Sequence, residues 1–145
     1  MPQKKYSLFH VQGGCGKHVA STAVAKCIKN NFPSRELIVC GVWTEIFQNL
    51  PFIDRVYQMG NTSYYYQNYV EDMDSLVFAN EPYFTTDHVN KKLPLVQSWC
   101  KMYNLEYHGE MPQIKYNPLQ KKLAKEIWPS RANGKPIMVI PNNGG

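Results

Sequence analysis

The residue types best able to do chemistry in this 145-residue chain are gathered in one short run, Gly13-Gly14-Cys15-Gly16-Lys17-His18. Glycines admit positive φ and let a main chain approach a ligand with no side chain in the way. A helix opening just after such a turn presents unpaired N–H groups and the positive end of its dipole, where phosphates and carboxylates settle. Lys17 adds a cation, and His18 an imidazole, the side chain most often used as a general base. Two well-known phosphate loops fit badly. Gly-x-x-x-x-Gly-Lys-Ser/Thr needs glycine where Val11 stands and a magnesium-binding hydroxyl where His18 stands. Gly-x-Gly-x-x-Gly is not completed by Val19 or Ala20. The run therefore reads as an anion-binding strand-to-helix turn or as a tight turn without a ligand.

Three further groupings carry less. Asp72-Met73-Asp74 spells a D-x-D pair, but it precedes the apolar run Ser75–Phe78, whereas a metal-holding pair would sit at the carboxyl end of its strand. A solvated helix end or loop suits it better. Tyr64, Tyr65, Tyr66 and Tyr69 form either a stacking surface for a sugar, with Tyr65 and Tyr66 as the contacts, or an ordinary half-buried cover. Cys15, Cys27, Cys40 and Cys100 are scattered with no Cys-x-x-Cys pair. Cys15 and His18, with His10 nearby, lack the second Cys/His pair that a zinc site needs, so no metal is expected.

The elements that must position the glycine run alternate. Lys5–Val11 is rich in β-formers and leads into the glycines. Beyond them Val19, Ala20, Ala23, Val24, Cys27 and Ile28 recur at helical spacing, with Lys26 and Lys29 on the other face, up to Pro33. Leu37–Val42 is a continuous apolar run, the pattern of a strand covered on both faces. A short helix over 44–49, a turn at Pro51 and a strand over 55–57 follow. Residues 60–69 show no clear period, 75–78 read as a buried strand, and 80–93 as loop. Leu95, Val96, Trp99, Cys100 and Tyr103 repeat the helical stripe, and Leu119, Leu123 and Ile127 mark another helix with Lys121, Lys122 and Lys125 outside. Pro136–Ile140 reads as a buried strand running into a Gly-rich turn. Strands alternating with helices predict an α/β domain, a Rossmann-like, mostly parallel sheet with flanking helices. Ligands of such sheets bind outside the carboxyl ends of the strands, which is where the glycine run falls.

Composition narrows the partners. Hydrophobic residues make up 43% and charged residues 19%, which excludes a disordered chain. No apolar run reaches the roughly 18 residues of a membrane span, and the N-terminus lacks the apolar stretch of a signal peptide, so the expected location is cytoplasmic. The net charge of +5 is unevenly spread. Residues 1–35 carry six Lys/Arg and no acid, 36–114 carry four basic and ten acidic groups, and 115–145 carry six basic groups against Glu126 alone. Basic ends around an acidic middle fit an anionic small molecule or an anionic membrane surface, and no nucleic-acid motif is present.

The stretch Gly13–Val24 resembles the first strand-to-helix turn of the heptosyltransferase-like glycosyltransferases of family 9, which read Gly-Gly-x-Gly-Asp, a few apolar residues, then Thr-Pro or Thr-Ala; here Thr22-Ala23 stands at that place. Arg35–Cys40 is similar to the family's second strand, and Leu50–Tyr57 to its Asn-Pro-x-Val-Asp-Arg-Val turn and third strand. The helix around 95–103, Leu105-Glu-Tyr and Met111-Pro-Gln-Ile are similar to its inter-domain approach, and 136–145 to the start of its second domain. The likeness spans most of the chain and lies in the order of weak motifs.

The resemblance implies a GT-B architecture, with residues 1–128 as the Rossmann-like acceptor-side domain. Residues 129–145 would be the linker and first strand of a nucleotide-sugar domain lying beyond this chain. It implies sugar transfer from a nucleotide-sugar donor to a glycan or lipopolysaccharide-type acceptor, no cofactor, and no turnover by these 145 residues alone. Gly13, Gly14, Gly16 and Thr22 would contact phosphate or substrate. The family's catalytic carboxylate after the glycines is replaced by Lys17. A protonated lysine cannot accept the acceptor's proton; Lys17 would pair with a phosphate or lie solvated in a loop, and His18 is the nearest alternative base. The competing reading is a non-catalytic nucleotide- or phosphosugar-binding domain; a P-loop-like phosphotransferase is disfavoured by Val11 and His18.

Overall fold

The computed structural model describes residues 4–127; the expected strand at 136–140 lies outside them. The chain divides into two compact units, Met1–Lys115 and Tyr116–Gly145; the boundary expected at 128/129 lies outside the described residues.

The first unit is an α/β domain built on a four-stranded, all-parallel sheet in the order β3-β2-β1-β4. The strands are β1 (Lys5–Val11), β2 (Glu36–Gly41), β3 (Arg55–Gln58) and β4 (Asp74–Phe78). Central β1 pairs Tyr6 with Glu36 and Ser75, and Phe9 with Val39 and Phe78. Side chains alternate along a strand. Phe9, Val11, Leu37 and Val39 therefore join one core with α1 (Cys15–Asn31) and α4 (Leu95–Met102), while Tyr6, Leu8 and Ile38 join a second core on the opposite face with Tyr65 and Tyr69 of α2 (Tyr65–Tyr69). Burial on both faces is why β2 reads as an unbroken apolar run.

α1 corrects the expected stripe. Ala23, Val24, Cys27 and Ile28 are fully buried as expected, but Val19 and Ala20 are only half-buried, while His18, Ser21, Thr22 and Ala25 are fully buried as well. The buried hydroxyls cost little because each is satisfied within the helix: Ser21 Oγ donates to His18 O at 2.7 Å and Thr22 Oγ1 to Val19 O at 2.7 Å. The helix is enclosed on its outer side by α4 and by residues 105–115. That segment is fastened by Asn31, which exchanges bonds with Glu106, and by Gln113 N donating to Thr22 Oγ1 at 2.9 Å.

Residues 80–93, expected as loop, contain a 3-10 turn at Pro82–Phe84 and the short α3 (Thr86–Val89), and 60–69 contain α2. The expected helix over 44–49 shrinks to a 3-10 turn at Thr44–Ile46. In the second unit, α5 (Pro118–Ile127) opens on a reciprocal cap in which Asn117 N donates to Gln120 Oε1 and Gln120 N to Asn117 Oδ1, both at 2.8 Å. Among the described residues no helix is long and apolar enough to cross a membrane.

Glu110 gives this packing a pH dependence. Burial pushes its carboxyl up, but the Asn30 amide at 2.8 Å and the backbone N–H of His108 at 2.9 Å prevail and hold it below the usual range. A depressed carboxylate contributes stability above its unfolded pKa, near 4.3, and loses it as pH falls through the lower folded value. Glu110→Gln is therefore expected to cost about 1–2 kcal/mol at pH 7 and to flatten the fall in stability below about pH 4.3. Urea midpoints at pH 6 and pH 3 check it; an unchanged pH slope refutes it.

Candidate functional site

The order 3-2-1-4 is that of the first four strands of a doubly wound sheet, whose ligand crevice opens at the carboxyl ends where the chain reverses direction, between β1 and β4. Three parts of the chain meet there: the glycine turn after β1, the start of α1, and the residues after β4.

The turn is shorter than the sequence suggests. Gly14 is the N-cap, and Cys15 and Gly16 already belong to α1. Gly13 has φ +95°, a conformation that favours glycine, and a Cβ on it would stand 3.4 Å from Lys17 Cδ. No side chain caps the helix and no acid occupies its first turn. Around Gly14 and Gly16 an added Cβ would meet nothing within 4 Å. The N-terminus thus presents uncapped N–H groups beneath open space.

Lys17 is not a solvated loop lysine. Its side chain is 6% exposed, and its Nζ pairs with Oε1 of Glu81 just beyond β4. The ammonium lies 5.4 Å from the Tyr83 ring centroid and 5.6 Å from that of Trp99, within cation–π range. A lysine in the first helical turn opposes the dipole, and Glu81 supplies the missing negative charge. Glu81, at 39% exposure, is the carboxylate at this crevice. Sequence reasoning missed it because 80–93 read as loop; its place just past a strand at the switch point was the available signal.

His18 is fully buried, and both ring nitrogens are taken up by backbone. Nδ1 lies 2.9 Å from Gly14 O, and Nε2 accepts from Val42 N at 3.1 Å. The neutral ring with its proton on Nδ1 serves both contacts; a proton on Nε2 would turn that atom to Val11 O, 3.2 Å away, and orphan the Val42 N–H. Gly41 makes room for this: a Cβ there would stand 3.1 Å from Phe47 and 3.3 Å from the His18 ring. Thr22 is also fully buried and occupied, donating to Val19 O and accepting from Gln113 N.

The tyrosines lie elsewhere. Tyr65 and Tyr69 are buried on the sheet face opposite α1, while Tyr64 and Tyr66 are exposed. This segment does not flank Lys17 and His18, because the β3-to-β4 connection crosses on the other face. Tyr65 Oη lies 2.9 Å from His10 Nε2, and burial pushes the His10 imidazole down. Asp74 of the D-x-D pair accepts from Arg35 at 2.8 Å and ion-pairs with Lys5 at 3.5 Å, so its carboxyl is held low chiefly by the Arg35 hydrogen bond.

Cys27, Cys40 and Cys100 are buried and Cys15 is exposed. No group of three His, Cys, Asp or Glu side chains that could hold a metal occurs among the described residues. A cleft of about 390 Å³ beside α4, lined in part by Leu93, Gln97 and Lys101, shares no residue with the crevice. No family model, no curated protein sequence and no solved structure matches the chain.

Proposed function

We propose that this chain is the acceptor-side domain of a nucleotide-sugar-dependent glycosyltransferase of the heptosyltransferase-like type, working at the β1/β4 crevice. The observation that carries the reading is the Lys17–Glu81 pair. The position that carries the carboxylate in the resembled family holds a lysine, and a carboxylate from just beyond the neighbouring strand stands in contact with it. Only Oε1 is engaged by Lys17, and the group is accessible to solvent. Glu81 then takes the proton of an acceptor hydroxyl as that oxygen bonds to the anomeric carbon and the nucleotide leaves with the electron pair of the broken C–O bond. The uncapped α1 N-terminus favours an anionic group of either substrate. Contact with an anionic membrane surface, where lipopolysaccharide-type acceptors reside, fits the basic termini of the chain.

A second reading, a nucleotide- or phosphosugar-binding domain without catalysis, is favoured by one observation: both basic groups of the glycine run, Lys17 and His18, are already engaged. Ligand-detected NMR against a panel of nucleotide-sugars and sugar phosphates, with transfer assays on this chain and on any longer gene product, separates the two. The transferase reading expects binding that survives Glu81→Gln and transfer by the longer product that falls at least about 100-fold in that variant. Binding without transfer in every form supports the second reading, and no binding at all defeats both.

A further inference from the structure

The opposite, amino edge of the sheet carries a second cluster, independent of the crevice. Basic residues gather there, and most have a carboxylate partner: Lys4 with Glu36 at 3.9 Å, Lys5 and Arg35 with Asp74, and Lys29 with Asp54 at 2.9 Å. Arg55, at the start of β3, forms no ion pair among the described residues. Its Nη1 donates instead to the hydroxyls of Tyr69 at 2.7 Å and Tyr57 at 3.4 Å, and those two oxygens are 2.9 Å apart.

Neutral phenol oxygens accept hydrogen bonds but do not neutralise a guanidinium. They also leave donors over. Of the two tyrosine O–H groups, one is used between the rings, and the other has no acceptor among the described residues. Arg55 Nη2 and Nε have none either. Burial of Tyr69 pushes its hydroxyl up to about 12, so it remains a donor at neutral pH. Arg55 and Tyr69 border a cleft of about 240 Å³ that is also lined by Lys4 and Asn68, with Glu36 as its single acid; Tyr57 supports the two from outside that lining. The phenols fix one edge of the guanidinium and leave the remaining edge open, which is the preorganised fork that recognises oxyanions.

We propose that Arg55, Tyr69, Asn68 and Lys4, with Tyr57 holding Arg55 and Tyr69 in place, form a binding site for a tetrahedral oxyanion, the phosphate of a phosphomonoester. Donors reaching in from the residue before β1, from β3 and from α2 suit acceptor oxygens pointing in several directions, more than the flat pair of a carboxylate. The site goes beyond the proposed function, since it lies at the other end of the strands and shares no residue with the Lys17–Glu81 crevice.

The test is a ¹H–¹⁵N NMR titration of the chain with inorganic phosphate at constant ionic strength, repeated with acetate, a hexose phosphate and vesicles containing phosphatidic acid. Saturable shifts at Arg55, Asn68 and Tyr69 are expected, weakened about tenfold or more by Arg55→Gln and more mildly by Tyr57→Phe, which keeps the ring. Lys125→Gln should leave the titration unchanged. Preference for the hexose phosphate or for the vesicles identifies a soluble or a lipid-borne source, and either supports the site. No saturation by ~50 mM phosphate, an affinity too weak for a specific site, overturns it. Acetate binding as tightly as phosphate, or equal losses from Arg55→Gln and Lys125→Gln, overturns it too.

Discussion

His18→Ala is expected to destabilise the fold by about 3–5 kcal/mol, more than an ordinary histidine truncation. The ring is fully buried and joins two parts of the chain: the opening of α1 through Gly14 O and the residue after β2 through Val42 N. Its loss removes packing against Phe47, whose ring centroid is 5.9 Å away, and leaves a cavity that backbone on two sides cannot fill. It also leaves the Val42 N–H without an acceptor, a penalty of about 1–3 kcal/mol if water does not reach it. His18→Gln, whose amide can reach the Nε2 position, should recover part of the loss. Urea unfolding of the two variants at pH 7 measures the difference. A cost below about 1 kcal/mol for the alanine variant would mean that these backbone groups find other partners.

The same substitutions bear on chemistry. With Nε2 turned to the Val42 N–H, the ring offers no lone pair to a substrate hydroxyl. Any binding or transfer activity should therefore survive His18→Gln in proportion to the folded fraction. A rate loss far beyond that fraction would restore His18 as a base.

What was legible in the sequence was whatever a contiguous run of residues decides. β2 is buried on both faces, so its apolar run is unbroken, and the observed strands Lys5–Val11 and Glu36–Gly41 lie where the β-rich run and that apolar run fall. The helices at 95 and 118 carry stripes long enough to show a period. The elements at 82–84 and 86–89 are one turn each, too short for any period to emerge. Tyr65 and Tyr69 are the i, i+4 pair of one helical turn, hidden because tyrosines also fill the exposed positions 64 and 66. Partnerships were the least legible part. Lys17 reads as a free cation until Glu81, 64 positions later, is seen beside it, and Asp74 reads as half of a D-x-D pair until Arg35 is seen to hold it. Which face the tyrosines cover depends on strand order, because the connection from β3 to β4 passes β2 and β1 on the side away from α1.

The Lys17–Glu81 pair should respond asymmetrically to loss of its two members. Lys17 is the buried partner, at 6% exposure, and Glu81 is the half-exposed one, at 39%. Glu81→Gln leaves an ammonium shut between Trp99, Tyr83 and Gly13 with no counter-charge. Breaking a fully buried pair from one side costs about 3–5 kcal/mol; with one partner open to solvent, about 2–3 kcal/mol is expected. Lys17→Met removes the charge that was costly to bury and leaves a carboxylate that water can solvate. It also relieves a cation from the positive end of α1 and places a flexible thioether against two aromatic rings. Its expected cost is below about 1 kcal/mol. The double variant should accordingly be more stable than Glu81→Gln alone, a coupling that a double-mutant cycle reads directly. If Lys17→Met proves the more damaging single change, the pair is held together by packing of the lysine stem, and Glu81 is not what makes a cation tolerable there.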